Sequence, residues 1–355
     1  MELPAIARIA AALVAALLIS FIATPVVKSI AQMVGAVDVP KDNRRMHNHP
    51  IPRMGGLAIF LGFLLSTLIF VPMSSSMRGM LLGGVIIVIL GIFDDIYALG
   101  AKLKLVVQIC AALIAVLMGN EITLLSNPNI FSSNPFWELG WLAIPVSVVW
   151  IVGITNAVNL IDGLDGLACG VSTISSMTVL VIALTVAEPS IAILTAALAG
   201  GCLGFLPYNL NPAKIFMGDT GATFLGFTLA VLSIQGLFKM YAIISFFVPF
   251  LIFGLPIFDT AFAMLRRILA GKSPMEADRG HLHHRLIDMG FSQKQAVAIL
   301  YVISAILGLS AVVLTTSGVV KATLLLVALC VTGWMAIRIF ISHNSTIEEH
   351  LRQLE

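Results

Sequence analysis

The stretch LGWLAIPVSVVWIVGITNAVNLIDGLDG, residues 139–166, decides the fold. Residues 139–158 are apolar enough and numerous enough to cross ~30 Å of hydrocarbon as one helix. The run closes on Asn156, Asn159, Asp162 and Asp165, strong oxygen ligands three residues apart. Three-residue steps turn about 60° backwards around a helix axis, so Asn156, Asn159 and Asp162 share a broad stripe that can converge on one ligand. Gly163 and Gly166 then allow a turn and let a phosphate approach the backbone. Asn and Asp also cap frayed helix ends, which accounts for one such residue better than for four in register.

The rest of the chain has the same character. Of 355 residues, 59% are hydrophobic and 11% charged, against about 25% charged in a soluble domain, so the chain is an integral membrane protein. About eleven apolar runs are long enough to span as helices. They lie near residues 4–27, 55–72, 78–97, 103–118, 139–158, 166–187, 189–207, 218–236, 239–264, 295–316 and 318–341. The expected fold is all-α, a polytopic integral membrane protein forming a single transmembrane domain over 1–355, with no internal repeat. The first run begins almost at Met1 with neither a charged leader nor a good cleavage site, and reads as a retained helix. Cys110, Cys169, Cys202 and Cys330 fall inside expected helices at scattered spacings and read as small buried hydrophobes. A net charge of +2, with basic residues that follow membrane topology, gives no reason to expect nucleic-acid binding.

With the N-terminus outside and loops alternating, 16 of the 20 Lys and Arg residues fall on one face; Arg8, Arg78, Lys239 and Lys321 are the rest. The positive-inside rule makes that face cytoplasmic and puts the C-terminus inside; the expected location is the inner (plasma) membrane. All ten Asp and all seven His residues fall on the same face, which topology alone does not require. Acids, bases and imidazoles gathered there look like a site for a charged, metal-assisted reaction. On the opposite face, β-branched and turn residues lead us to expect a small external β-hairpin near 121–136.

Four further stretches carry chemistry. GIFDDIYALGAKLKL pairs Asp94 and Asp95, only one of which can face a shared site directly because neighbours on a helix diverge by about 100°; Lys102 and Lys104 suit phosphate, or snorkel at the interface. FLPYNLNPAKIFMGDTGATF carries Asn209, Asn211, Lys214 and Asp219. Its Gly218–Gly221 segment is expected to open a helix whose N-terminus favours anions, with Asp219 either an N-cap or a hard metal ligand. The long loop with Arg279, His281, His283, His284 and Arg285 has no convincing zinc spacing and is read as binding phosphate or sugar hydroxyls; Ser292 and Gln295 form a capping-box pattern after it. Arg53, beside the Gly55-Gly56 helix start, is a substrate-binding candidate, and Asp259 at the inner end of its run needs Arg266, a lysine or the substrate as partner.

Taken in order, PRMGG, FDD, NAVNLIDGLDGLA, FMGDTG and RGHLHHRL resemble the motifs of the polyprenyl-phosphate N-acetylhexosamine-1-phosphate transferase superfamily, over nearly the whole chain. The resemblance implies transfer of a sugar-1-phosphate from a UDP-sugar to a polyprenyl phosphate at the cytoplasmic face, release of UMP, and a need for Mg²⁺ or Mn²⁺. Leu282 interrupts the three consecutive histidines typical of phospho-MurNAc-pentapeptide transferases, and the loop is similar to the WecA/TagO branch, which uses UDP-GlcNAc and undecaprenyl phosphate. By resemblance, Asp219 and Asn159 hold the metal, while Asp94 or Asp95 deprotonates or positions the lipid phosphate. Lys102 and Lys104 meet phosphates, Asp162 and Asp165 lie near the nucleotide, and Arg279, His281, His283 and His284 contact the sugar-phosphate end. Catalytic roles thus fall to Asp94, Asp95, Asp162 and His284; Arg53, Asn156, Asn209 and Lys214 complete the substrate-binding set. A homodimer is compatible with the resemblance. Phospho-MurNAc-pentapeptide transfer is the alternative within the superfamily; a secondary transporter is the alternative outside it, although transporters place charges at mid-membrane and show repeated halves.

Overall fold

The apolar runs fold as helices because a helix satisfies every backbone polar group without water. The computed structural model describes residues 4–40, 49–126, 136–185, 188–238, 247–271 and 280–316, with the isolated positions 326 and 330. The order is α1 (Ala5–Met33), β1 (Val37–Asp38), β2 (Ile51–Pro52), α2 (Gly56–Phe70), α3 (Ser75–Tyr97), α4 (Ala101–Leu117), β3 (Leu124–Ser126) and β4 (Phe136–Glu138). There follow α5 (Ala143–Leu160), α6 (Leu167–Thr185), α7 (Pro189–Asn209), α8 (Gly218–Ser233), α9 (Phe247–Ile252), α10 (Gly254–Leu269), α11 (Leu282–Asp288) and α12 (Gln293–Thr316). Among the described residues, seven helices are long and apolar enough to cross a membrane.

Helix α8 is the axis of the bundle, buried at every residue from Thr220 to Ser233, with α3 and α5 packed against it. Helix α1 lies on α7 and α2, α6 on α7, and α12 on α6. Lipid tails are as apolar as leucine, so close backbone approach drives such packing. Gly56 and Gly91 supply it at the start of α8: a Cβ on Gly56 would collide with Gly221, and one on Gly91 with Thr220. Several hydroxyls inside the helices bond back one turn, as Thr173 does to Cys169 O (2.8 Å) and Ser176 to Ser172 O (2.8 Å), which satisfies these groups in an apolar setting.

The hairpin forms where expected: β3 pairs antiparallel with β4, Leu125 opposite Trp137, while 127–135 lie outside the described residues. It precedes α5, whose far end carries Asn159, so hairpin and oxygen ligands are at opposite ends of the bundle. A second short ladder, β1 with β2, was not anticipated. Two spans differ from expectation. Helix α1 continues past residue 27 to Met33. The span over 239–264 is not one helix, because the chain breaks at Phe253 between α9 and α10: Pro256 has no N–H to offer the carbonyl of Ile252, and a continuous helix would need that bond. Residues 239–246, and the eleventh span at 318–341 except positions 326 and 330, lie outside the described residues.

Candidate active site

The C-terminal ends of α3 and α5 and the N-terminal end of α8 converge, with the segments leading into α2, α6 and α8, on a cavity of about 240 Å³. Backbone hydrogen bonds fasten the segment before α2 to the one before α8: Phe216 N to Pro52 O (2.8 Å), Gly55 N to Phe216 O (2.9 Å) and Gly56 N to Met217 O (2.9 Å). This ladder brings Arg53 to the cavity wall, where it pairs with Asp38 at 3.0 Å.

Asp95 and Asp94 diverge as helix geometry requires. Asp95 serves α8: one carboxylate oxygen accepts Asp219 N (3.0 Å), and the other accepts Thr220 N (3.1 Å) and Thr220 Oγ1 (2.7 Å). The anion that this helix start was expected to favour is, in the structure, Asp95 itself. Nor does Asp219 cap its own helix. Gly218, at φ 71°, lies so close to Asp95 that a Cβ would strike its carboxylate. Asp94 accepts Leu99 N (2.7 Å) and Lys104 Nζ (2.8 Å), and the same ammonium reaches Asp219 Oδ2 at 2.9 Å. Lys104 therefore bridges carboxylates of α3 and α8.

The turn after α5 forms the opposite wall, with Asn159, Asp162, Gly163, Leu164 and Asp165. Asp165 Oδ2 accepts Asn211 Nδ2 (2.9 Å) and Ala213 N (3.0 Å); the Asn211 amide also donates to Gln293 Oε1 (2.7 Å). Tyr301 OH donates to Gly166 O at 2.6 Å, tying the turn to α12. Asn209 donates to Ile215 O (3.1 Å), while its buried Oδ1 has no partner among the described residues. Burial, with the charges of Asp219 and Asp95 only partly offset by Arg53, pushes Asp162 up to about 8.

The histidine loop is built differently. Asp259 on α10 accepts Leu282 N (2.7 Å) and pairs with His281 Nδ1 (2.9 Å), whose other ring nitrogen lies 3.5 Å from Arg267. The partner of Asp259 is thus His281, not Arg266, whose guanidinium donates to Gly280 O (2.9 Å). His281 and His283 are buried, and neither lines the cavity. His283 packs on Gly163, where a Cβ would run into its ring. Burial and the neighbouring His284 push His283 down to about 3, with Asp259 opposing. His284 is half-buried and also off the cavity; Arg279 lies outside the described residues.

Of the residues singled out from sequence, the cavity brings together Arg53, Asp95, Asn159, Asp162, Asp165, Asn209 and Asp219, with Asp94 and Lys104 one hydrogen bond behind Asp219. Asn156 is turned away: its amide donates to Gln108 Oε1 (2.7 Å) and Val152 O (2.8 Å). Lys102 and Lys214 are exposed and off the cavity. Gln293 lines it without having been singled out. The Ser292–Gln295 capping box, which forms as expected with Ser292 N to Gln295 Oε1 at 2.9 Å, was the available clue, since it fixes residue 293 in the first turn of α12.

The donor set fits Mg²⁺. Five carboxylates line the cavity, from Asp38, Asp95, Asp162, Asp165 and Asp219, against Arg53 as the one lining cation among the described residues. The excess of hard oxygen and negative charge calls for a hard cation. No three described His, Cys, Asp or Glu residues form a closed metal site. Mg²⁺ needs none, since it takes one or two carboxylates and completes its shell with phosphate oxygens and water.

The family model of glycosyl transferase family 4 matches residues 77–237, from α3 through α8, which hold Asp94, Asp95, Asn159, Asp162, Asp165 and Asp219. The chain is 46% identical over 312 residues to a probable undecaprenyl-phosphate N-acetylglucosaminyl 1-phosphate transferase of Bacillus subtilis (strain 168), across 87% of this chain and 86% of that one. It is 36% identical over 322 residues to the decaprenyl-phosphate N-acetylglucosaminephosphotransferase of Mycobacterium tuberculosis (strain ATCC 25618 / H37Rv), across 81% and 77%. To the undecaprenyl-phosphate alpha-N-acetylglucosaminyl 1-phosphate transferase of Thermotoga maritima it is 33% identical over 268 residues, across 75% and 78%. With these relatives covering most of its length and its site motifs inside the family match, the chain belongs to glycosyl transferase family 4, the polyprenyl-phosphate N-acetylhexosamine-1-phosphate transferase superfamily.

Proposed function

We propose that the protein transfers GlcNAc-1-phosphate from UDP-GlcNAc to a polyprenyl phosphate, undecaprenyl phosphate for preference, at the cytoplasmic face of the membrane. The products are polyprenyl-diphosphate-GlcNAc and UMP, and the step initiates a cell-envelope glycan of the teichoic-acid or O-antigen type. One observation carries the reading: a cavity lined by five carboxylates and Arg53, with Lys104 bridging Asp94 and Asp219 behind it, sits at one end of an apolar bundle, a place suited to a soluble anionic donor and a lipid acceptor. The names of the relatives supply the sugar and the prenyl carrier. Membership of a transferase superfamily leaves a secondary transporter without support.

In the reaction, an oxygen of the prenyl phosphate bonds to the sugar-bearing phosphorus, and the bond from that phosphorus to UMP breaks. A phosphate monoester is largely ionised near neutral pH, so direct attack needs no base and no phospho-Asp intermediate. Asp95, with both oxygens engaged by α8, holds that helix start in place; Asp94 positions Lys104. Lys104 and Arg53 offset phosphate charge. Asp219 and Asn159 are the residues to hold Mg²⁺, which when bound neutralises the pyrophosphate and favours departure of UMP. Membranes containing the protein, given UDP-GlcNAc, undecaprenyl phosphate and Mg²⁺, should release UMP and form lipid-linked GlcNAc phosphate, and Asp219→Ala should abolish both. Turnover of UDP-MurNAc-pentapeptide instead, or of neither donor by folded protein, would overturn the assignment.

A further inference from the structure

At the Asp165 end of the cavity the protein builds a fixed donor beside a fixed acceptor. Asn211 Nδ2 donates at once to Asp165 Oδ2 and Gln293 Oε1, and Ala213 N donates to the same Asp165 oxygen. One nitrogen thus holds residues from α12 and from the turn after α5 side by side, and both line the cavity. The bonds also fix which atoms remain free. Asp165 Oδ1 accepts from none of the described residues, and Gln293 Nε2 donates to none. Because Gln293 Oε1 is committed to Asn211, the amide cannot turn over without breaking that bond, so its NH₂ stays a donor. Leu164 and Phe216 add apolar and aromatic surface to the same cavity.

We infer that Gln293, oriented by Asn211 and working beside Asp165, is a specificity residue that selects uracil over cytosine in the nucleotide donor. The inference rests on the proposed use of a UDP-sugar. Uracil presents an imide N3–H next to a carbonyl oxygen, which matches an acceptor next to a donor. Cytosine presents a bare N3 next to an amino group, so the carboxylate would meet a lone pair and the amide NH₂ would meet another NH₂. A site built to hydrogen-bond its ligand rejects the mismatched analogue strongly, because its own polar groups are left unpaired. The arrangement leaves a role for Asn211 as a positioning residue that touches no substrate.

The test compares inhibition of UDP-GlcNAc turnover by UMP and by CMP in the wild type, Gln293→Met, Gln293→Glu and Asn211→Ala. The wild type should favour UMP over CMP by at least about tenfold. In Gln293→Met, KM for UDP-GlcNAc should rise about tenfold with kcat within about threefold, and the preference for UMP should shrink toward unity. Gln293→Glu, which keeps the size and turns the donor into an acceptor, should lower UMP affinity further. Asn211→Ala should erode the same ratio by freeing the amide to rotate. Variants that weaken UMP and CMP equally, or that retain the full ratio, would overturn the inference while leaving the transferase reading intact. A wild type that turns over no UDP-GlcNAc would overturn both.

Discussion

The cavity and the histidine loop use the same residue types to opposite ends. In the cavity, five carboxylates face Arg53 as the one lining cation among the described residues, and the buried Asn209 Oδ1 has no partner among them. In the loop, Asp259 spends both oxygens on His281 and Leu282 N, Arg266 takes Gly280 O, and His283 is sealed against Gly163. The cavity keeps an excess of carboxylate over cation, whereas the acid of the loop is fully engaged and ties α11 to α10. Charged motifs in a membrane protein therefore need their bonding tallied before they are called catalytic, since buried pairs also fix structure.

The difference can be broken in graded ways. Asp219→Asn should have the largest effect, lowering kcat on the order of 10³-fold with an unfolding midpoint in detergent close to the wild type; a matching loss of stability would erase the distinction. Asp259→Asn should show the reverse balance. Removing one partner of a buried pair costs about 3 kcal/mol or more, so its unfolding midpoint should fall clearly, and activity should fall only as α11 releases Gly163. Equal stability in the two variants would contradict the account. His283 should produce a smaller, pH-dependent effect. Its folded value lies near 3, below the ~6.5 of a free imidazole, so the unfolded chain binds more protons between those values. Stability contributed by neutral His283 is present above pH 6.5 and lost as pH falls toward 3, and His283→Asn should flatten that slope in a thermal-unfolding series. Smallest of all, Lys102→Ala and Lys214→Ala, exposed and off the cavity, should change kcat/KM by less than about twofold at moderate salt.

Much of this division was legible in sequence, for local reasons. Apolar length set the helices, and Asn159, Asp162, Asp165 and Asp219 were found because each sits where an apolar run ends. What sequence missed depends on partners far along the chain. Asn156 has the same spacing as its neighbours, but Gln108 on α4 claims its amide, and nothing near residue 156 reveals that. Asp95 looks equivalent to Asp94 until α8, 124 residues away, offers its N-terminus. His281 reads as a ligand for sugar phosphate until Asp259 is placed beside it by the break at Phe253, which Pro256 explains only in hindsight. Gln293 was hidden for the complementary reason: a capping box fixes where a helix starts, not which side its first residue faces.

The central claim is that the carboxylate cavity, and not the histidine loop, receives the metal with the donor. Electron paramagnetic resonance of Mn²⁺ added to purified protein with UDP-GlcNAc tests it directly. The account predicts Mn²⁺ binding that strengthens with the donor, shows no imidazole nitrogen couplings and is lost in Asp219→Asn. Binding that survives Asp219→Asn, or that carries imidazole couplings, would contradict it.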